Sequence, residues 1–387
     1  MKRVGVIGGG QLAWMMADAA QKLGVELVVQ TPSEHDPAVS IAKETVFAPV
    51  DDASATEILA QKCDVITFEN EFVNLNALSG LAQQGVCFRP KLEALAPLLD
   101  KYHQRCYLHD LGLPVPQFFA FDEVENLKSI EYLGFPVVLK SRRHGYDGQG
   151  TFIIQDFATL EKKLTNETTT KPLNQSLFLL EEFVPFEREL AIIAARSVEG
   201  EIVTYPVVET QQEEQVCRQV IAPAEITPNQ VAEIQAIAHT LLNSLEVVGI
   251  FGIELFLGAD GKVLVNEIAP RTHNSGHFSL DACETSQFEQ HLRAVCGLPL
   301  GNPALQCAGA VMVNLLGYES SHSDYQSQRQ QIAEIPQAHV HWYGKAESRP
   351  GRKLGHVTVL LDNQNRELGS AYANIIAHTI ESIWYPR

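Results

Sequence analysis

Two carboxylates set the first expectation. Glu254 and Glu267 stand on apolar runs that flank Asp260-Gly261, a dipeptide that favours a two-residue hairpin turn. With that turn Ala259 faces Lys262, and Glu254 lands directly opposite Glu267. Opposed side chains on a sheet sit about 5 Å apart, where like charges repel. A divalent cation turns that repulsion into a binding site, and Mg²⁺ typically takes one or two carboxylates plus phosphate oxygens. The hairpin therefore predicts a metal–phosphate site with Glu254 and Glu267 as ligands.

Other clusters carry compatible chemistry. Directly after the hairpin, Arg271-Thr272-His273-Asn274-Ser275-Gly276-His277 is dense in polar groups. Arg271 can stabilise negative charge in a transition state, and His273 and Asn274 can hydrogen-bond a small anion. Lys140 closes a strand-like run and leads into Ser141-Arg142-Arg143-His144-Gly145-Tyr146-Asp147-Gly148-Gln149-Gly150-Thr151. Three glycines beside three cations make a loop that can wrap phosphates through backbone N–H groups and close over a nucleotide. It is not a Walker A loop, because no Gly-Lys-Ser/Thr follows. The strand-like run 177–184 ends in Glu181-Glu182-Phe183-Val184, a pattern that suits an adenine slot of apolar walls and backbone hydrogen-bonding groups. Glu189 is placed to take ribose hydroxyls. In the late segment 339–355, Lys345, Arg349, Arg352 and Lys353 form a local cationic cluster suited to a substrate phosphate. The plain alternatives are a basic hairpin tip, a charged strand exit and a basic turn.

These groups need a scaffold. Residues 4–7 read as a strand, 8–13 as a glycine turn, 12–22 as a helix and 25–29 as a second strand. Gly8, Gly10 and Ala13 fit the dinucleotide fingerprint, but Gln30 stands where an acidic ribose ligand belongs. NAD is therefore disfavoured, and the turn is open to another phosphate at a helix N-terminus. Glu69 and Glu71 fall at a strand's C-terminal end, where open α/β sheets place ligands, although they read first as surface loop charges. Residues 100–111 and 228–245 read as helices, the latter with Thr227 as N-cap and Pro228 at N1, and a further helix covers 286–295. Residues 161–176 are Lys-, Thr- and Asn-rich and read as a solvated connection. Strands are expected at 135–140, 190–208, 216–222, 311–317 and 356–360.

The 387 residues exceed what one core usually serves. Apolar content of 45% and charged content of 20% are those of a soluble globular chain. No apolar run spans a bilayer, and Met1 leads straight into a strand, so no membrane contact and a cytoplasmic location are expected. A net charge of −18 argues against a nucleic-acid groove. Seven scattered Cys with no C-x-x-C pair read as reduced thiols.

Together these motifs resemble the ATP-grasp superfamily, and within it the 5-(carboxyamino)imidazole ribonucleotide synthases of purine biosynthesis, also described as phosphoribosylaminoimidazole carboxylase ATPase subunits. The resemblance covers essentially the whole chain. It rests on Gly8-Gly9-Gly10-Gln11-Leu12, on 145–150, on Asn266-Glu267-Ile268-Ala269-Pro270-Arg271 with 273–277, and on His341-Trp342-Tyr343-Gly344-Lys345 with 349–353. It implies an α/β and α+β multidomain fold: a Rossmann-like (pre-ATP-grasp) domain over 1–97, an ATP-grasp domain over 98–302 and a small β-rich C-terminal domain over 303–387. It implies ATP- and bicarbonate-dependent N-carboxylation of 5-aminoimidazole ribonucleotide by way of carboxyphosphate, with ADP and phosphate as the other products, by a homodimeric ligase using Mg²⁺ or Mn²⁺. ATP would be held by Lys101, Lys140, residues 145–151 (Gly145, Tyr146, Asp147, Gly148, Gln149, Gly150, Thr151), Glu181, Glu182, Phe183, Val184, Glu189, Asn266 and Glu267. The ribonucleotide would contact Gln11, Leu12, Tyr146, Asp147, Asn274, Lys345, Arg352 and Lys353. Arg271, His273, Asn274 and Lys345 would be catalytic. Three positions depart from the family's habit: Lys101 and Trp14 stand where Arg is common, and Gln212 where a His is. The alternatives are a sister ligase on another phosphorylated purine precursor, an NAD-dependent oxidoreductase and a catalytically silent nucleotide-binding protein. Intact Glu254, Glu267, Lys140 and Arg271 argue against the silent reading, and Gln30 against NAD.

Overall fold

The computed structural model describes residues 1–121, 126–143, 150–168, 178–363 and 369–385. The chain opens with a parallel sheet of β1 (Lys2–Ile7), β2 (Val25–Thr31), β3 (Glu44–Phe47) and β4 (Val65–Phe68), in the order β3-β2-β1-β4. β1, β2 and β4 are largely apolar and buried, as expected where both faces are covered, whereas the edge strand β3 is part-exposed. The helix expected over 12–22 is two pieces, Gln11–Trp14 and Ala17–Leu23. Between them Met16 N–H bonds to Ala13 O, three residues back rather than four, which tightens the turn and breaks the helix.

Two further sheets follow. The smaller is antiparallel, in the order β5-β8-β6-β7, from β5 (Phe118–Phe121), β6 (Val137–Ser141), β7 (Thr151–Ile154) and β8 (Phe178–Glu182). The larger has nine strands: β9 (Phe186–Arg196), β10 (Ile202–Thr204), β11 (Val208–Glu213), β12 (Val216–Ala222), β13 (Gly249–Gly258), β14 (Val263–Ala269), β15 (Gly309–Leu316), β16 (Ala338–Trp342) and β17 (Lys353–Leu361). The last three close no sheet of their own: β15 pairs with β12 and extends the large sheet. Helices Gln326–Ala333 and Gly369–Trp384 complete this end of the chain.

The solvated connection expected over 161–176 is corrected in its first half, where a helix runs Phe157–Thr168. Asp156 caps it by accepting from Thr159 N (2.8 Å), Leu160 is buried, and Phe157 meets Phe135 edge-on at 4.9 Å. Polar composition hid this short apolar stripe. The helix Pro228–Leu245 matches its expectation, with a Thr227/Gln230 capping box. No described helix is long and apolar enough to cross a membrane, and none of the seven cysteines forms a disulfide.

Candidate active site

The hairpin places Glu254 opposite Glu267, but not by the expected turn. Gly258 N–H bonds to Lys262 O and Leu257 pairs with Val263, so the loop holds three residues, Ala259, Asp260 and Gly261. Continued regularly, that register would set Glu254 against Asn266. A β-bulge intervenes: Leu255 pairs with Val265, Glu254 with Glu267, and Asn266 is the extra residue. Turn and bulge offset each other by one residue. The bulge also turns Asn266 to use, since its Oδ1 accepts from Lys140 Nζ (3.0 Å) and its Nδ2 donates to Glu254 Oε2 (3.4 Å).

Each carboxylate of the pair has a protein cation or imidazole beside it. Lys101 Nζ lies 2.6 Å from Glu267, and His273 Nε2 lies 3.2 Å from Glu254. His273 Nδ1 is met by Ser275 Oγ (2.8 Å) and accepts from Ser275 N–H (3.4 Å), which leaves the proton on Nε2, facing Glu254. Burial works to raise the Glu254 pKa, but the hydrogen bond from His273 and the nearby charges of Lys101 and Lys353 outweigh it and the value is lowered. Two opposed hard oxygen donors, balanced by groups a dication would displace, fit Mg²⁺. A side chain at Gly252 would run into His273, so the glycine lets that ring lie over β13.

Behind the pair lies a charge cluster that sequence reading missed. On helix Lys101–Asp110 the buried side includes Gln104 and Arg105. Arg105 pairs with Glu181 and donates to Val265 O (3.1 Å) and Asn266 O, holding the bulge. Lys140 Nζ lies 2.6 Å from the other oxygen of Glu181. Burial would raise the Glu181 pKa, yet the two cations hold it at about 2. Burial and the charges of Arg105 and Lys101 lower that of Lys140 despite Glu181. One carboxylate thus serves two buried cations, and an arriving anion relieves the excess positive charge.

The glycine turn is capped from within. Glu69 accepts from Gly10 N (3.0 Å) and Leu12 N (3.3 Å), and any side chain at Gly10 would collide with it. A dinucleotide's pyrophosphate would need those same amides. Gln30 is buried the other way, donating to Pro49 O (2.7 Å) and Asp52 O (3.2 Å). Both contacts rule out the NAD reading. Glu69 and Glu71, expected as surface loop charges, are corrected: Glu69 is 9% exposed, with its pKa raised by burial against the pull of Gly10 N–H and Arg271, and Glu71 pairs with Arg271 Nε at 2.9 Å. The sequence signal was available in their place at the C-terminal end of a strand.

A continuous cavity of about 1600 Å³ joins these groups, and its lining includes Lys101, Lys140, Thr151, the stretch from Glu181 to Val184, Glu189, Glu254, Asn266, Glu267, Arg271, His273, Asn274, Gln11, Leu12, Lys345, Arg352 and Lys353. Ligand pockets are commonly about 300–1,000 Å³, so this one has room for two. Gly150 is not on its wall; its carbonyl accepts from Ser141 N (2.7 Å). Gly145, Tyr146, Asp147, Gly148 and Gln149 lie outside the described residues. Within the slot the Glu181 side chain is spent on Arg105 and Lys140, while Glu182 exchanges hydrogen bonds with Gln117 (2.9 Å each). Burial and Glu254 raise the Glu189 pKa to about 7. Asn274 and Asn314 bond reciprocally, at 2.9 and 2.8 Å. Lys345 Nζ donates to Lys353 O (2.7 Å) and Arg352 to Glu347 O (2.8 Å). Of the departures, Gln212 lines the cavity and Trp14 packs edge-on to Tyr343 at 6.2 Å.

Three families match the chain in series: the ribonucleotide synthetase preATP-grasp domain over 1–97, the ATP-grasp domain over 106–288 and the phosphoribosylaminoimidazole carboxylase C-terminal domain over 310–368. The chain is 56% identical over 385 residues to an N5-carboxyaminoimidazole ribonucleotide synthase of Synechococcus elongatus, spanning 99% of this chain and 96% of the relative. Among solved structures it is similar to the N5-carboxyaminoimidazole synthetase of Staphylococcus aureus complexed with ADP (TM-score 0.86, 35% identity, 96% of each chain). It is also similar to the N5-carboxyaminoimidazole synthase of Aspergillus clavatus in complex with ADP and 5-aminoimidazole ribonucleotide (TM-score 0.88, 30% identity, 98% of each chain).

Proposed function

This chain belongs to the N5-carboxyaminoimidazole ribonucleotide synthase family, ATP-dependent ligases of purine biosynthesis, and from that premise we propose how its own side chains divide the reaction. The observation that carries the assignment is the single cavity that joins the Glu254/Glu267 pair and Lys140 to the Lys345, Arg352 and Lys353 cluster. Such a space takes a nucleoside triphosphate and a phosphorylated second substrate side by side.

ATP lies along Lys140 and Lys101, its phosphates answering the excess positive charge of the Arg105–Glu181–Lys140 cluster. The adenine is read by the backbone of 181–184, because the Glu181 side chain is engaged elsewhere. Glu189, with a pKa near 7, both donates to and accepts from ribose hydroxyls. Glu254 and Glu267 hold Mg²⁺, which when bound neutralises charge on the phosphates. Lys345, Arg352 and Lys353 hold the ribonucleotide phosphate, with Gln11 and Leu12 on the adjoining wall.

Bicarbonate is the carboxyl source, and Arg271 and His273 hold it, helped by the one amide N–H that Asn274 does not spend on Asn314. A bicarbonate oxygen attacks the γ-phosphorus, the bond to ADP breaks, and carboxyphosphate forms. The substrate amine then captures its carbon, or CO₂ released from it; phosphate departs and the amine's proton goes with it. Little of this needs covalent help from the protein, so positioning and charge carry the rate. An enclosed site also protects carboxyphosphate from water. The resemblance further implies a homodimer, which light scattering reads directly, and nucleotide substrates that do not cross membranes support a cytoplasmic site of action.

The test is phosphate release from ATP in bicarbonate buffer with Mg²⁺, with and without 5-aminoimidazole ribonucleotide. Release that depends on the ribonucleotide is expected, and Glu267→Gln should lower it by about a hundredfold or more with the fold intact. Stimulation by a different phosphorylated amine alone would make the chain a sister ligase.

A further inference from the structure

Away from the cavity, three imidazoles and a carboxylate share one face of the β16–β17 pair. His339 and His341 are two residues apart on β16 and so project to the same side. His356 stands directly opposite His341 on β17. Asp281, on helix Ser279–Ala282, reaches this face: its two oxygens lie 2.9 and 3.1 Å from His341 Nε2, and Oδ1 lies 3.6 Å from His339 Nδ1. One nitrogen each from His341 and His356 and one oxygen of Asp281 lie within 4.8 Å of one another.

His356 supplies the second, independent observation. Its ring is fully buried, and Nδ1 is hydrogen-bonded to the Tyr343 hydroxyl at 2.8 Å. Nε2 is buried too, with no hydrogen-bond partner. Leaving such an atom unpaired is costly. One ring nitrogen oriented by a hydrogen bond and the other left open is how a metal-ligating histidine is set up.

We propose that Asp281, His341 and His356, with His339 at the rim, form a second metal site that takes a borderline divalent ion of the Zn²⁺ class. Imidazole with carboxylate suits Zn²⁺ in tetrahedral coordination, whereas Mg²⁺ takes oxygen ligands and goes to Glu254 and Glu267. Binding parts the stacked His341 and His356 rings, whose centroids are 4.5 Å apart. The ion ties helix Ser279–Ala282, just beyond His273 and Asn274, to the hairpin whose connecting loop carries Lys345 and runs into Lys353. Its role is to hold those two walls together.

The experiment uses the full-length, tag-free chain, stripped with chelator and kept in saturating Mg²⁺. Zn²⁺ is titrated and the bound metal measured by mass spectrometry after dialysis. One Zn²⁺ per chain is expected, with affinity falling in both Asp281→Asn and His341→Asn by at least the roughly tenfold that loss of an outer-shell partner alone costs. The exposed His322→Asn should leave it unchanged. No stoichiometric Zn²⁺ in the wild type, or wild-type affinity in both variants, overturns the site. Zinc-edge X-ray absorption on the wild type decides the matter without any variant: nitrogen and oxygen neighbours with imidazole scattering support it, and sulfur neighbours overturn it.

Discussion

Residues that do the same work were not equally legible. Glu254, Glu267, Arg271 and His273 stood out as candidates because each sits in a local pattern, a hairpin or a dense polar run. Glu69 was read first as a loop charge and Arg105 was passed over because their partners are far along the chain: Gly10 is 59 residues from Glu69, and Glu181 is 76 from Arg105. Nothing local distinguishes a buried ion pair from a surface charge until the fold brings its partner. Glu181 makes the energetic point. Its folded pKa of about 2 lies below the ordinary 4.5, so the ionised carboxylate contributes stability that is fully present above pH 4.5 and lost as pH falls towards 2. Glu181→Gln should therefore cost about 3–5 kcal/mol at pH 7, the range for breaking a buried pair, with the gap to wild type narrowing below pH 4.5. Urea melts across that range check it, and a gap that does not change with pH would assign the loss to packing.

At the scale of elements, β14 shows how much one strand depends on its neighbours. It is an edge of the large sheet, and edges need cover. Gln104 exchanges hydrogen bonds with Ile268 N (2.9 Å) and O (3.1 Å), Pro114 O accepts from Val265 N (2.8 Å), and Arg105 takes the carbonyls of Val265 and Asn266. The helix Lys101–Asp110 thus seals the edge, holds the bulge and carries Lys101 to Glu267. The two apolar runs and their turn dipeptide predicted the hairpin; the bulge was invisible, because an extra residue has no signature beyond the register it restores. Asn266→Ala should keep the bulge, whose carbonyl Arg105 still holds, while cutting the tie between Lys140 and Glu254. The Michaelis constant for ATP is expected to rise about tenfold, the scale of one hydrogen bond to a charged group, with little change in melting temperature. An unchanged constant would show that the tie is not used in binding.

Across the whole molecule, the helix Gln287–Cys296 joins units that the sequence expectation kept separate. Phe288, Leu292 and Val295 lie in one core with Val4, Val6 and Val29 of the first sheet, while the same helix packs on β9 and β13. His291 Nε2 lies 2.8 Å from Thr67 Oγ1, and Lys22 pairs with Glu289 at 2.7 Å. Leu292→Ala should cost about 2–5 kcal/mol and speed hydrogen exchange in both β1 and β13; a loss confined to the first sheet would mean that the units open separately. The sequence by itself determined the class of elements, most of the strands, the capped helix Pro228–Leu245 and the chemical kinds of the candidate ligands, because periodicity, caps and charge are local properties. Tertiary structure alone decided that β15–β17 extend the large sheet, that Glu69 fills the glycine turn and that the basic cluster shares a cavity with the carboxylates. It also decided how the two hairpin carboxylates come to oppose each other. Glu254 faces Glu267 because a three-residue loop and a one-residue bulge cancel, and that cancellation depends on an arginine more than 150 residues away.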